Sequence, residues 1–114
     1  MLVTPGEKIH VIYRAFYDGS LRRHFVGTVT AVEGATCRID GYTFVTDPQS
    51  RMFERRPTLR TTVVDLAHPG YIANVIHPDT VIEEVAYHYV RDTGLVCTDG
   101  KAFTLNINEY GARA

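Results

Sequence analysis

The chain has 114 residues, 45% of them hydrophobic, and a formal net charge of −1 at pH 7. That length suits one domain (1–114) with one modest core, and the balanced charge offers no long-range field to draw nucleic acid, a membrane surface or an acidic partner. No run approaches the ~20 apolar residues of a membrane-spanning helix, and no signal-peptide-like apolar stretch opens the sequence, so a soluble, cytoplasmic protein with no membrane association is expected.

In chain order, Pro5-Gly6 breaks a short lead. Glu7–Tyr17 then alternates, with Ile9, Val11, Tyr13 and Ala15 on one side and His10, Ile12, Arg14 and Phe16 on the other. Period two with β-branched and aromatic residues predicts a strand. Asp18-Gly19 supplies a turn, and Leu21–Glu33 forms the next strand, with Phe25, Val29 and Ala31 on one face. Gly27 shares that face, and a glycine at mid-strand marks a bend, a bulge or a close approach by another backbone. Glu33-Gly34 turns the chain into a short strand over 35–39. Asp40-Gly41 reads as a second turn or bulge, followed by a strand over 42–47.

The segment 47–60 is expected to be irregular, because Pro48, Pro57 and its polar residues oppose both strand and helix. It carries Arg51, Arg55, Arg56 and Arg60 around Met52 and Phe53. One reading is a solvated loop pinned by its aromatic. The other is a local phosphate-binding patch with a ring for base stacking.

Strand alternation returns at 61–67 and again at Tyr71–Ile76, with His68-Pro69-Gly70 between them. The turn His77-Pro78-Asp79-Thr80 then leads into a second apolar run. From Thr80 two patterns compete. Thr80-x-x-Glu83 resembles a helix capping box, whereas Val85, Tyr87 and Tyr89 alternate as in a strand. The β-rich surroundings favour strand over 80–91. Arg91–Gly94 turns, Leu95–Thr98 is a strand, and Asp99-Gly100 is a two-residue hairpin turn into a strand over 101–108, with Phe103, Leu105 and Ile107 inward. The tail 109–114 is expected to fray. These elements make an all-β domain, and closing the sheet into a small barrel is the economical way to remove its edges.

The order of parts resembles the Sm-like family of small, strongly bent five-stranded barrels. Its first motif matches Tyr17-Asp18-Gly19 followed by His24-Phe25-Val26-Gly27-Thr28-Val29. Its second matches Val75-Ile76, the turn His77–Thr80, then Val81-Ile82 and Glu83-Glu84-Val85. The resemblance covers about residues 7–85 and implies an SH3-like/Sm-like barrel, with 86–110 as an added C-terminal β-hairpin extension. It further implies a homo-oligomeric ring whose loops meet single-stranded RNA through Gly34, Thr36, His77 and Asp79. Arg55 and Arg56 would supply a basic patch beside it. The chain departs from the family where it has His77-Pro78 in place of Arg-Gly, which replaces a permanently charged, bidentate contact with a titratable ring.

Two function classes follow: a structural module that oligomerises through its sheet edges, and an RNA-binding protein. Catalysis is not expected. The five histidines have no zinc-ligand spacing, and on a strand Glu83 and Glu84 would point to opposite faces. Ser20 and Ser50 lie in no nucleophile elbow, and no phosphate-cradling glycine motif occurs. Neither a cofactor nor a bound metal is expected; His68, His77 and Asp79 would share an ion only if their two turns met. Cys37 and Cys97 are each alone and are expected to be reduced.

Overall fold

The computed structural model describes residues 2–13, 23–46, 49, 52–68 and 70–107. The predicted Asp18-Gly19 turn, Arg51 and the tail lie outside them. The described chain is all-β. Strands β1 (Lys8–Tyr13), β2 (Arg23–Glu33), β3 (Thr36–Thr46), β4 (Phe53–Arg55), β5 (Arg60–Asp65) and β6 (Tyr71–Ile76) form one antiparallel sheet. A short 3-10 turn at Ile82–Glu84 leads into a second antiparallel sheet, β7 (Ala86–Val90), β8 (Gly94–Thr98) and β9 (Thr104–Asn106).

The first sheet runs β4-β3-β2-β1-β6, and β5 also pairs with β3. The far edge of β3 is therefore shared: residues 36–41 pair with β5 and residues 44–46 with β4. The expected closed barrel is not formed. Among the described residues β5 pairs only with β3 and β6 only with β1, so the sheet stays open between them.

Alternation along the strands splits the apolar residues between two cores. Ile9 and Val11 of β1, Val29 of β2, Cys37 and Ile39 of β3 and Val64 of β5 pack on one face. The opposite face turns Val26 and Phe44 towards Tyr87, Leu95, Cys97, Phe103 and Ile107 of the C-terminal segment. That segment is thus a three-stranded sheet covering the first, where the resemblance implied a β-hairpin added to a barrel. Strand β1 serves both cores, and all four residues Ile9–Ile12 are buried.

Local chemistry explains the remaining differences. Asp40-Gly41 is no turn, and β3 runs through it, because Gly41 stands opposite Gly27 of β2. A Cβ on Gly41 would lie 2.0 Å from the Val26 carbonyl oxygen, and one on Gly27 would lie 2.5 Å from that of Asp40. Only glycine admits this approach. A register shift between Val29 and Ala31 changes the facing of β2, so Val32 packs on the core and Ala31 is exposed.

The second apolar run, 81–85, is not a strand. Thr80 donates its hydroxyl to the His77 carbonyl at 2.6 Å, and Val81 N–H donates to Asp99 Oδ2 at 2.8 Å. Ile82 and Val85, three residues apart, both enter the second core, which a 3-10 turn allows and alternation does not. Thr80 makes no capping box, and strand geometry begins at Ala86. The Asp99-Gly100 signal does mark a turn, but one spanning 99–103. Finally, the irregular segment contains β4, whose Phe53 is buried.

Candidate functional site

The densest chemistry lies between the two sheets. His10 and Ile12 project from β1, His24 and Val26 from β2, and Phe44 from β3, all towards β7. His10 and His24 are each 0% exposed. The Tyr87 hydroxyl lies 2.8 Å from His10 Nε2 and 2.5 Å from His24 Nδ1. One phenol therefore bridges two imidazoles and ties β1, β2 and β7 together. Aromatic rings enclose the bridge: Phe53 stacks on His24 at 4.2 Å and on Tyr87 at 4.8 Å, Phe44 lies 5.1 Å from Tyr87, and Phe103 lies 6.4 Å from His10.

The proton count of this chain is closed. A phenol can donate once and accept from a neighbour, so two neutral imidazoles fit, one donating to the oxygen and one accepting from it. Burial pushes His10 down from 6.5 to about 4, which keeps it neutral near pH 7. Burial likewise raises Tyr87 well above its ordinary value and Cys97 to about 12, the latter partly countered by its hydrogen bond to Tyr87. None of these groups ionises readily near neutrality, so the cluster acts as a polar clamp between the sheets.

Beside the clamp a cleft of about 390 Å³ opens between β4 and the 3-10 turn, lined by Phe44, Phe53, Arg55, Glu83, Glu84 and Tyr87 among others. The Arg55 guanidinium donates to the Glu83 carbonyl and lies 4.8 Å over the Tyr42 ring. Lys101 pairs with Glu84 at 2.8 Å across the neighbouring loop. Charges at this rim are thus largely used in holding the 3-10 turn in place.

A second concavity, about 520 Å³, lies along the open side of the first sheet. Its lining is aliphatic or small: Leu2, Val3, Val32, Gly34, Ala35, Cys37, Leu66, Ala67, Ala73 and Val75. Two exposed valines flank the open edges, Val63 on β5 (59% exposed) and Val75 on β6 (54%).

The residues singled out from sequence fall in separate places. Gly34 occupies the β2–β3 turn with φ +59° and lines the aliphatic groove, while the exposed Thr36 opens β3. His77 and Asp79 sit in the turn after β6, both exposed, where Asp79 N–H donates to His77 Nδ1 at 3.0 Å. Arg55 and Arg56 lie on and just after β4; Arg56 is exposed and its N–H donates to the Thr43 carbonyl. These three places thus belong to three separate parts of the first sheet: the β2–β3 turn, the end of β4 and the turn after β6. His68 precedes β6 and His77 follows it, so their turns stand at opposite ends of one strand and do not meet. No group of three or more potential metal ligands occurs among the described residues. Cys37 and Cys97 are free thiols in different cores.

Sequence reasoning missed His10, His24 and Tyr87. The available signal was a histidine at an inward position of a strand whose neighbours on both faces are apolar, as in Ile9-His10-Val11-Ile12. Such a position needs a polar partner from a second layer. Comparison of the chain with protein-family models, with curated proteins and with solved structures gives no match.

Proposed function

We propose that this protein is a non-enzymatic, SH3-like/Sm-like module that assembles into homo-oligomers through the open edges of its first sheet. The observation that carries the reading is the pair of edges on β5 and β6 that no strand covers among the described residues, each beside an exposed valine. An uncovered strand edge presents a row of N–H and C=O groups that a strand from another copy can satisfy, and an apolar flank adds burial. The path β6-β1-β2-β3-β5 supports the module assignment, since in such folds the last strand of five returns beside the first. Two exposed edges of comparable length, one on each side of the opening, suit head-to-tail pairing, which closes into a ring when the rotation allows.

The test is the mass of the native particle by native mass spectrometry and multi-angle light scattering. Wild-type protein should form a discrete oligomer. Val63→Lys combined with Val75→Lys should convert it to folded monomer, because a lysine on an edge opposes strand addition. A wild-type monomer at ~100 μM, well above the range of typical specific affinities, ends the proposal.

Less supports a surface for single-stranded RNA. Arg55 is engaged by Glu83 and Tyr42, and Gly34 shares a groove with aliphatic residues instead of with His77 and Asp79. Titration of labelled oligo-U at two salt concentrations tests that reading directly. Salt-dependent binding weakened by Arg56→Ala would favour it.

A further inference from the structure

We propose that the His10–Tyr87–His24 chain is an acid-operated latch: uptake of a proton by the buried imidazoles releases the β7–β9 sheet while the six-stranded sheet keeps its own fold.

Three observations converge on this. First, the chain bridges the two sheets with bonds of 2.8 and 2.5 Å from one hydroxyl, and both imidazoles are fully buried. Among the described residues no ladder hydrogen bond joins the two sheets. Second, a charged imidazole finds no acceptor. His10 Nδ1 is buried without a hydrogen-bond partner, and no described carboxylate pairs with His10. Whichever nitrogen carries the hydrogen of the neutral ring, the doubly protonated ring places a charged N–H at Nδ1 facing apolar rings. Third, the two cores are separate. Release of β7–β9 uncovers Val26 and Phe44 but leaves Ile9, Val11, Val29, Ile39 and Val64 packed on the other face.

The ionisable groups around the latch offer no counter-charge to His10. The first sheet brings His10 on β1 and His24 on β2, with Tyr42 and Arg55 towards the rim; Lys8 of β1 donates to the Thr80 carbonyl. From the other side come Tyr87 on β7 and Cys97 on β8, both held neutral. Glu83 and Glu84 are exposed on the 3-10 turn, with Glu84 paired to Lys101. Asp99 is committed to four backbone N–H groups.

The sign follows from linkage. Burial holds His10 at about 4 when the sheets are closed, against 6.5 when it is released. The open form therefore binds more protons below 6.5, and the closed form loses stability as pH falls from about 6.5 towards about 4. Between pH 7.5 and 4.5 this shifts the opening equilibrium on the order of 10²-fold towards release.

Hydrogen exchange on the full chain, corrected for intrinsic rates, reads the event. From pH 7.5 to 4.5 the amides of β7 and β8 should lose at least ~10-fold of their protection, while those of β1 and the 36–41 half of β3 hold theirs. Equal loss in both sheets, or no loss in either, overturns the proposal. The variant His10→Leu/His24→Leu/Tyr87→Phe replaces the whole polar chain with apolar groups, a change that leaves a core nearly neutral in stability when shape is kept; its second sheet should stay protected at pH 4.5. Opening of that variant as in the wild type overturns the proposal. Should it not fold, histidine NMR on wild-type protein decides. The His10 imidazole should stay neutral until β7–β9 exchange, and an ordinary titration near 6.5 in a closed molecule sinks the latch.

Discussion

Across β2 and β3, two glycines meet at Gly27 and Gly41, and the space between the strands is set by their missing side chains. The atoms that an added Cβ would strike are mostly backbone, which cannot rotate aside. Gly34 is glycine for a different reason, a φ of +59° in a turn with open space around it. Gly41→Ala is therefore expected to destabilise the protein by about 3 kcal/mol or more, as overpacking against fixed atoms does. Gly34→Ala should cost only about 1 kcal/mol, the penalty for a left-handed residue. Urea unfolding of the two variants compares them, and a larger loss at Gly34 would refute the close-approach account. The sequence already marked Gly27 as a bend or close approach, since a glycine amid Phe25 and Val29 has no propensity reason to be there. Gly41 was hidden, because Asp-Gly is a strong turn signal and the partner that overrides it lies fourteen positions earlier in the chain. His10 and His24 were hidden for the same reason, their partner Tyr87 lying 77 and 63 positions later in the chain.

At the scale of elements, the connection between β8 and β9 is organised by one carboxylate. Asp99 Oδ1 accepts from the N–H groups of Lys101, Ala102 and Phe103 at 2.9, 3.0 and 3.0 Å, and Oδ2 accepts from Val81. Asp99 thus builds its own loop and fastens it to the segment entering β7. Desolvation pushes its carboxyl up, but the bonds from Val81, Lys101, Phe103 and Ala102 outweigh that and hold it down, from 3.8 to about 2. Its contribution is therefore present above about pH 4 and lost as pH falls towards about 2. Asp99→Ala is expected to cost about 2–4 kcal/mol by leaving several N–H groups without their charged acceptor. It should also reduce the stability change over that acid range by the part due to Asp99. Thermal melts of variant and wild type at pH 7 and pH 3 check both, and equal sensitivity to the pH 3 condition would contradict the assignment. Alternation located most of the strands, although of the strand expected over 101–108 only Thr104–Asn106 forms, with the buried Phe103 and Ile107 flanking it. It failed over 81–85, where bonds from Thr80 and to Asp99 decide the backbone and only the latter's distant partner could have signalled it.

Taken whole, the molecule is two cores sharing one wall, the first sheet, in which β1 is buried on both faces. The neighbours of β1 are β2, nearby in sequence, and β6, whose Ile76 pairs with Lys8. Pairing so far apart along the chain closes a long loop before it is rewarded, which slows folding. The all-β class was legible because period two recurs from end to end. The number of layers was not, because a strand buried on one face and a strand buried on both differ only in residues such as His10 and Ile12, which read as either.

That division of the wall also orders events during synthesis. The first sheet has all its strands once residue 76 has left the ribosome, whereas the residues that shield its second face arrive between 82 and 107. For that interval Ile12, Val26 and Phe44 face solvent on a half-finished molecule. A chain stopped after Glu84 should accordingly bind a hydrophobic dye and scatter light at concentrations where the full chain stays clear; a clear, dye-negative truncated chain would show that the first sheet needs no cover. Strands β7–β9 are the ones that end the nascent protein's exposure to its own neighbours.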